Sequence, residues 1–176
     1  LGPVIDEIVQ HPRVDADAIA AIGWSQGGYW VARAAAFEPR LKAIVLDPGV
    51  YDVSTSWTSH LPDFMVPMLD DTGPDAEKNF NDFLAVGLKD SPAMAATLAF
   101  RMRPYCTTSA FEAYNLTRTY TLKGITDRIT CPTLVLSPEN EQFWPGQAEQ
   151  VHEAIADSDL IVFTEAEGAD IHCEPR

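Results

Sequence analysis

Basic residues are scarce in this chain. Twelve lysines and arginines face 26 aspartates and glutamates in 176 residues, a net charge of −14. A nucleic-acid binder must neutralise phosphates, and a polybasic anchor must meet anionic headgroups; this balance excludes both. No run of about 18 apolar residues exists, so no segment is long enough to span a bilayer as a helix. Cysteine is sparse too. Cys106, Cys131 and Cys173 are odd in number and widely spaced, with no CxxC pair, which argues against a zinc site and against a disulfide framework. Three reduced thiols in a cytoplasmic protein are the expectation. Internal repeats, low-complexity tracts and a signal peptide are all missing from view. The chain starts at Leu1 inside an amphipathic segment, which leaves a signal peptide further upstream open.

What is present is ordinary for a globular domain: 46% hydrophobic and 22% charged residues, at a length that can bury a core. Val4, Ile5, Ile8 and Val9 recur at helical spacing before His11-Pro12 stops the pattern. Four short apolar runs bounded by polar, glycine or proline residues read as buried strands, at 18–23, 41–47, 133–137 and 159–164. Helices are expected at 29–37, 76–88, 92–103, 109–119 and 144–156. Strands alternating with helices make an α/β chain with a parallel sheet. Three parts follow: a first piece of the core at 1–49, a helical insertion at 50–127 broken by five prolines, and a second piece of the core at 128–176. That last piece carries ten carboxylates after residue 136, against the single base Arg176 there, and these read mainly as a solvated face.

Gly23-Trp24-Ser25-Gln26-Gly27 is a GxSxG pentapeptide between a buried strand and a helix. That is the context a nucleophile elbow needs. The serine must occupy a strained strand-to-helix turn, and Gly23 and Gly27 are expected to leave room where side chains would collide. The turn lifts the hydroxyl above the sheet edge and aims the Gln26 N–H at a developing oxyanion. Serine also needs a base. Of His11, His60, His152 and His172, only His172 follows the last strand, on the sheet edge where loops after parallel strands gather. His152 lies in an acidic helix and is expected to face solvent. A carboxylate must then orient the imidazole. Glu141 leads, ahead of the helix that follows Pro145, with Asp47 and Glu139 as alternatives.

Gly23-Trp24-Ser25-Gln26-Gly27-Gly28, the run from Asp127 to Leu136 and the run from Glu167 to Cys173, in this order, resemble the α/β-hydrolase superfamily. The last two look most like esterase-like enzymes related to dipeptidyl-aminopeptidases and acylaminoacyl-peptidases, a branch with a carbon–carbon hydrolase of nicotine breakdown among its relatives. The resemblance implies Ser25 as nucleophile, His172 as base and an acid at or near Glu141. It departs from the usual Gly-x-x-Asp after the third strand: Pro138-Glu139-Asn140-Glu141 places a glutamate there. It departs in extent as well, because the superfamily has about eight strands and this chain offers four. The strands before the elbow, the loop giving a second oxyanion N–H and the helix after His172 have no counterpart here. The chain therefore reads as the C-terminal half of a longer protein, with an unpaired edge at residues 18–23 and poor activity in isolation.

The expected activity is hydrolysis of an ester or amide through an acyl-enzyme, without metal or organic cofactor. A carbon–carbon hydrolase with the same triad and a non-catalytic binding protein of the same fold are the rivals. The expected partner is a small-molecule ester or amide substrate, with no nucleic acid and no membrane, and homo-oligomerisation of a full-length form is left open. The insertion is expected to act as a cap. Its aromatic residues, Trp57, Phe64, Phe80, Phe100 and Tyr114 among them, could line an apolar pocket or simply form its own core.

Overall fold

A computed structural model describes residues 1–173; the expected final loop runs on to Glu174, Pro175 and Arg176, which lie outside the described residues. Helix α1 (Gly2–Ile8) has Pro3 in its first turn, where the missing N–H costs nothing. Of its apolar positions only Ile5 is buried; Val4 and Ile8 remain exposed. Arg40 ties this helix down, bonding Asp6 and Glu38 at 2.6 Å each. That guanidinium holds the Glu38 carboxyl at about 2.

Strand β1 (Ile19–Trp24) runs into helix α2 (Gly27–Ala35) through Ser25 and Gln26, and strand β2 (Leu41–Asp47) follows. Tyr29, Ala32 and Ala35 are the buried side of α2, spaced as one face of a helix must be. The chain then enters a helical section: α3 (Thr55–Thr58), a 3-10 turn at Pro67–Asp70, α4 (Ala76–Leu88), α5 (Pro92–Met102), a 3-10 turn at Arg103–Tyr105 and α6 (Ala110–Thr117). Ser109 caps α6 by accepting from the Glu112 N–H. Strand β3 (Thr133–Pro138), helix α7 (Gln147–Ala154) and strand β4 (Ser158–Phe163) complete the order.

All three strand pairings are parallel, in the order β1-β2-β3-β4. Trp24 pairs with Asp47, and Pro138 with Phe163, so the strands end along one edge and the loops after them emerge there. The class is the expected one, α/β with a parallel sheet. Strand β1 is an edge strand, and its Ile22 and Trp24 are 62% and 71% exposed.

The chain divides into two compact units: Leu1–Val53 together with the residues from Thr121 onward, and Ser54–Tyr120. The division falls a few residues inside the expected limits of 50–127. Asp52 bridges Thr121, and the Leu122 N–H donates to the Tyr51 carbonyl, so the two ends of the expected insertion are paired with each other within the sheet-bearing unit. Within the helical unit Phe80 is fully buried, with Tyr114 and Phe111 edge-on to it at 5.4 and 5.8 Å. Trp57 stands edge-on to Tyr114 at 5.2 Å. Trp57, Phe80 and Tyr114 are thus buried, whereas Phe64 and Phe100 are exposed.

Candidate active site

Ser25 sits at φ +56°, a left-handed conformation that costs an L-residue energy and needs surrounding structure to hold it. Two close backbone approaches supply that structure. A Cβ on Gly23 would lie 2.1 Å from the Gly27 carbonyl oxygen, and one on Gly28 would lie 2.1 Å from the Pro48 carbonyl oxygen. A Cβ on Gly27 would meet nothing within 4 Å, so the second obligatory glycine is Gly28 and not Gly27 as the pentapeptide suggested. Helix α2 packs onto the end of β2 at that point, which the pentapeptide alone does not reveal. The Ser25 N–H donates to the Asp47 carbonyl at 2.7 Å and pins the turn to β2. Gln26 follows as the N-cap of α2. Donors at the start of a helix lack intrahelical partners and face a site of positive potential.

His172 meets both flanking groups. Its Nε2 is 2.8 Å from Ser25 Oγ, and its Nδ1 is 2.6 Å from Glu141 Oε2. The imidazole is 13% and the Glu141 side chain 6% exposed. The other carboxylate oxygen of Glu141, Oε1, accepts from the Phe143 N–H at 2.7 Å and the Trp144 N–H at 3.2 Å. Burial pushes the Glu141 carboxyl up; the His172 hydrogen bond, those two N–H groups and the charge of His172 outweigh it and hold the acid below its ordinary value. The same turn supplies rings. Phe143 lies 4.7 Å and Trp144 5.7 Å from the imidazole, centre to centre.

Both nitrogens of His172 are therefore engaged by Ser25 and Glu141. The Asp47 carbonyl anchors the elbow from the end of β2, and Glu139 Oε2 accepts from the Glu165 N–H at 3.0 Å. A second clasp lies beside it: the Asn140 N–H donates to the Asp170 carbonyl at 2.7 Å and the Asn140 amide to Asp170 Oδ2 at 2.9 Å. Asp170 is 1% exposed, so this member of the acidic segment is a buried fastener rather than part of a solvated face. His11 and His60 are exposed. His152 does not simply face solvent: it is half-buried, with Nδ1 2.8 Å from Ser158 Oγ, where it closes the turn from α7 into β4.

One neighbour had no signal in the sequence. Cys173, at φ +54°, places Sγ 3.5 Å from His172 Nε2, 3.1 Å from the Ser25 nitrogen and 3.0 Å from the Asp47 carbonyl oxygen. Among the described residues no group of three or more His, Cys, Asp or Glu side chains could hold a metal ion, and no helix is long and apolar enough to cross a membrane.

A strand, a strained serine, a helix start and a serine–histidine–carboxylate chain invite comparison with hydrolases. The prolyl oligopeptidase family matches residues 3–91. The chain belongs to this family. The α/β hydrolase psoB of Aspergillus fumigatus is 33% identical over 153 residues, covering 76% of this chain and 32% of psoB. Among solved structures, 2,6-dihydroxy-pseudo-oxynicotine hydrolase superposes with a TM-score of 0.60 at 19% identity, over 98% of this chain and 39% of that one. Acetyl xylan esterase 1 from Thermoanaerobacterium sp. JW/SL YS485 gives 0.55 at 20% identity, over 98% and 45%. The chain thus spans about a third of the curated relative and under half of each of these two structures. At these identities the two structures speak for the fold alone: the chain is part of an α/β-hydrolase fold.

Proposed function

We propose that the chain carries the catalytic centre of a serine hydrolase that cleaves an ester or amide through an acyl-enzyme. The observation that supports this reading is the unbroken run from Ser25 Oγ to His172 Nε2 and from Nδ1 to Glu141 Oε2, at 2.8 and 2.6 Å. In the proposed reaction Ser25 Oγ attacks the carbonyl carbon while its proton passes to Nε2. Glu141 holds the Nδ1–H tautomer and stabilises the imidazolium. The negative oxygen of the tetrahedral intermediate lies at the Gln26 N–H, at the positive end of α2. The imidazolium returns its proton to the leaving group as the carbon–heteroatom bond breaks. Water, deprotonated at Nε2, then attacks the acyl-enzyme and frees Ser25.

Both oxygens of Glu141 are occupied by donors, which favours the ionised acid and suits an orienting role. The glutamate's extra methylene is taken up by a turn that also collects the Phe143 and Trp144 N–H groups.

A fluorophosphonate probe on the full chain tests the reading. Labelling is expected at Ser25, with turnover of a small aryl ester, and Ser25→Ala is expected to abolish labelling and lower turnover by on the order of 10⁶-fold. Absence of labelling on the folded wild type, or labelling elsewhere, overturns it. The likeness to a 2,6-dihydroxy-pseudo-oxynicotine hydrolase favours one second reading, a carbon–carbon bond hydrolase using the same three residues. Turnover of a ketone substrate with none of esters or amides would select it.

A further inference from the structure

Cys173 stands apart from the chain's other thiols. Cys106 is exposed, and Cys131 is buried just before β3, where burial pushes its thiol up. Cys173 is half-buried and meets three groups that belong to three different segments: the Ser25 nitrogen after β1, the Asp47 carbonyl at the end of β2 and His172 Nε2 after β4. The Asp47 carbonyl is also where the Ser25 N–H is anchored, at 2.7 Å. A single acceptor therefore holds the nucleophile's turn and, through sulfur, the residue next to the base. With its S–H directed at Asp47, the sulfur offers a lone pair to the Ser25 N–H and packs against Nε2, from which it can accept only once the imidazole is protonated. Both Ser25 and Cys173 are non-glycine residues at positive φ, +56° and +54°. Each is held in an unfavourable backbone well by contacts to the same carbonyl.

We propose that Cys173 is a positioning residue for hydrolysis: its thiol, donating to the Asp47 carbonyl and lying against His172 Nε2, fixes the imidazole in line with Ser25 Oγ. This inference rests on the reading of Ser25, His172 and Glu141 as a hydrolytic centre. The physical cause is geometric. Nδ1 is fixed by Glu141, which leaves rotation and tilt about that bond to be set at the other end of the ring. Sulfur, larger than oxygen, fills the space beside Nε2 without displacing Ser25 Oγ, which stays the nearer partner at 2.8 Å against 3.5 Å. A methyl group in its place would leave the Asp47 carbonyl with one donor fewer and remove the contact beside Nε2.

The test compares wild type, Cys173→Ala, Cys173→Ser and, as a remote thiol control, Cys106→Ser, all as the full chain. Aryl-ester kinetics, probe labelling at Ser25, thermal melting and the imidazole nitrogen resonances of His172 are recorded for each. Cys173→Ala is expected to lower kcat by about ten- to a hundredfold with KM unchanged, the range that misplacing a reacting group costs. Cys173→Ser, whose hydroxyl can donate to Asp47, is expected to recover most of that loss. Cys106→Ser is expected to match wild type. An alanine variant with wild-type kcat overturns the inference. So does an equal loss in the alanine and serine variants that tracks an equal drop in melting temperature, since that is packing alone. If the wild type itself is neither labelled nor active, the hydrolase reading fails. The resonances then decide the geometry separately: His172 signals unmoved by Cys173→Ala overturn the positioning role as well.

Discussion

The sheet-bearing unit and the helical unit exclude water in different ways. In the first, backbone approaches backbone: Gly28 lies under Pro48 and Gly23 against Gly27, with no space for one more carbon. Leu46, Val135 and Tyr29 are fully buried around these approaches. In the second, bulky side chains gather round Phe80, with rings edge-on at 5.4 and 5.8 Å. An apolar groove of about 400 Å³ remains beside them, lined by Leu84, Leu88, Leu98 and Met102. Phe83, Val86, Met94 and Phe100 stay more than half exposed. Close-packed backbone fixes positions to a fraction of an ångström, whereas clusters of rings can re-pack around a changed volume. All the groups of the candidate site, Ser25, Gln26, Glu141 and His172, belong to the unit of the first kind.

That contrast can be broken by experiment. The largest effect is expected at the site. Glu141→Gln puts an amide where a carboxylate accepts three hydrogen bonds and favours the wrong tautomer of His172; kcat is expected to fall by about 10⁴-fold with little change in KM. Steady-state kinetics check this, and retention of activity would remove Glu141 from the triad. Next comes the backbone packing. Gly28→Ala is expected to lose about 4 kcal/mol in urea unfolding, at the severe end for a single substitution. Gly27→Ala, in open space at the first turn of α2, is expected to leave stability unchanged or raise it. Equal effects at the two glycines would show that the turn is looser than its geometry. The helical unit should be more forgiving: Phe80→Ala is expected to cost about 3 kcal/mol, with Ser25 labelling retained below the melting transition. Labelling lost in the still-folded variant would mean that the two units do not respond independently.

The smallest effect concerns pH. The folded-state acid of Glu141 is held below its ordinary value, so its contribution to stability is complete above the unfolded glutamate's range and is lost as pH falls through the lowered folded value. The difference in urea midpoint between wild type and Glu141→Gln should therefore stay level near neutrality and shrink on acidification. A difference that grows instead would mean that burial, and not the His172 and N–H bonds, governs this carboxylate.

Much of the architecture was legible because parallel strands are short, apolar and bounded. The four strands lie within a residue or so of their expected limits, and α4 falls on its expected span of Ala76–Leu88. The order of chemistry along the chain pointed to Ser25 and His172 at one sheet edge, with Glu141 ahead of Asp47 and Glu139 as the acid. What was hidden depended on contacts distant in sequence. The thiol of Cys173 carries no local pattern, and its partners lie 126 to 148 residues away, apart from its neighbour His172. Gly28 is required by Pro48, not by its own pentapeptide. Helix α7 begins at Gln147 rather than Trp144, because Gly146 takes φ +75°, outside the helical region. Short elements such as Thr55–Thr58 offer less than two turns of periodicity to read.

The clasp between the loops after β3 and β4 has a consequence for how the site comes apart. Glu139 holds the Glu165 N–H, and Asn140 holds Asp170 twice, so the acid and the base are attached to one cooperative patch. Opening either loop releases both. The amides of Asn140 and Glu165 should then exchange with deuterium at a common opening free energy. A base without its acid would be a rarely visited state, which spares the molecule a misaligned imidazole beside a strained serine.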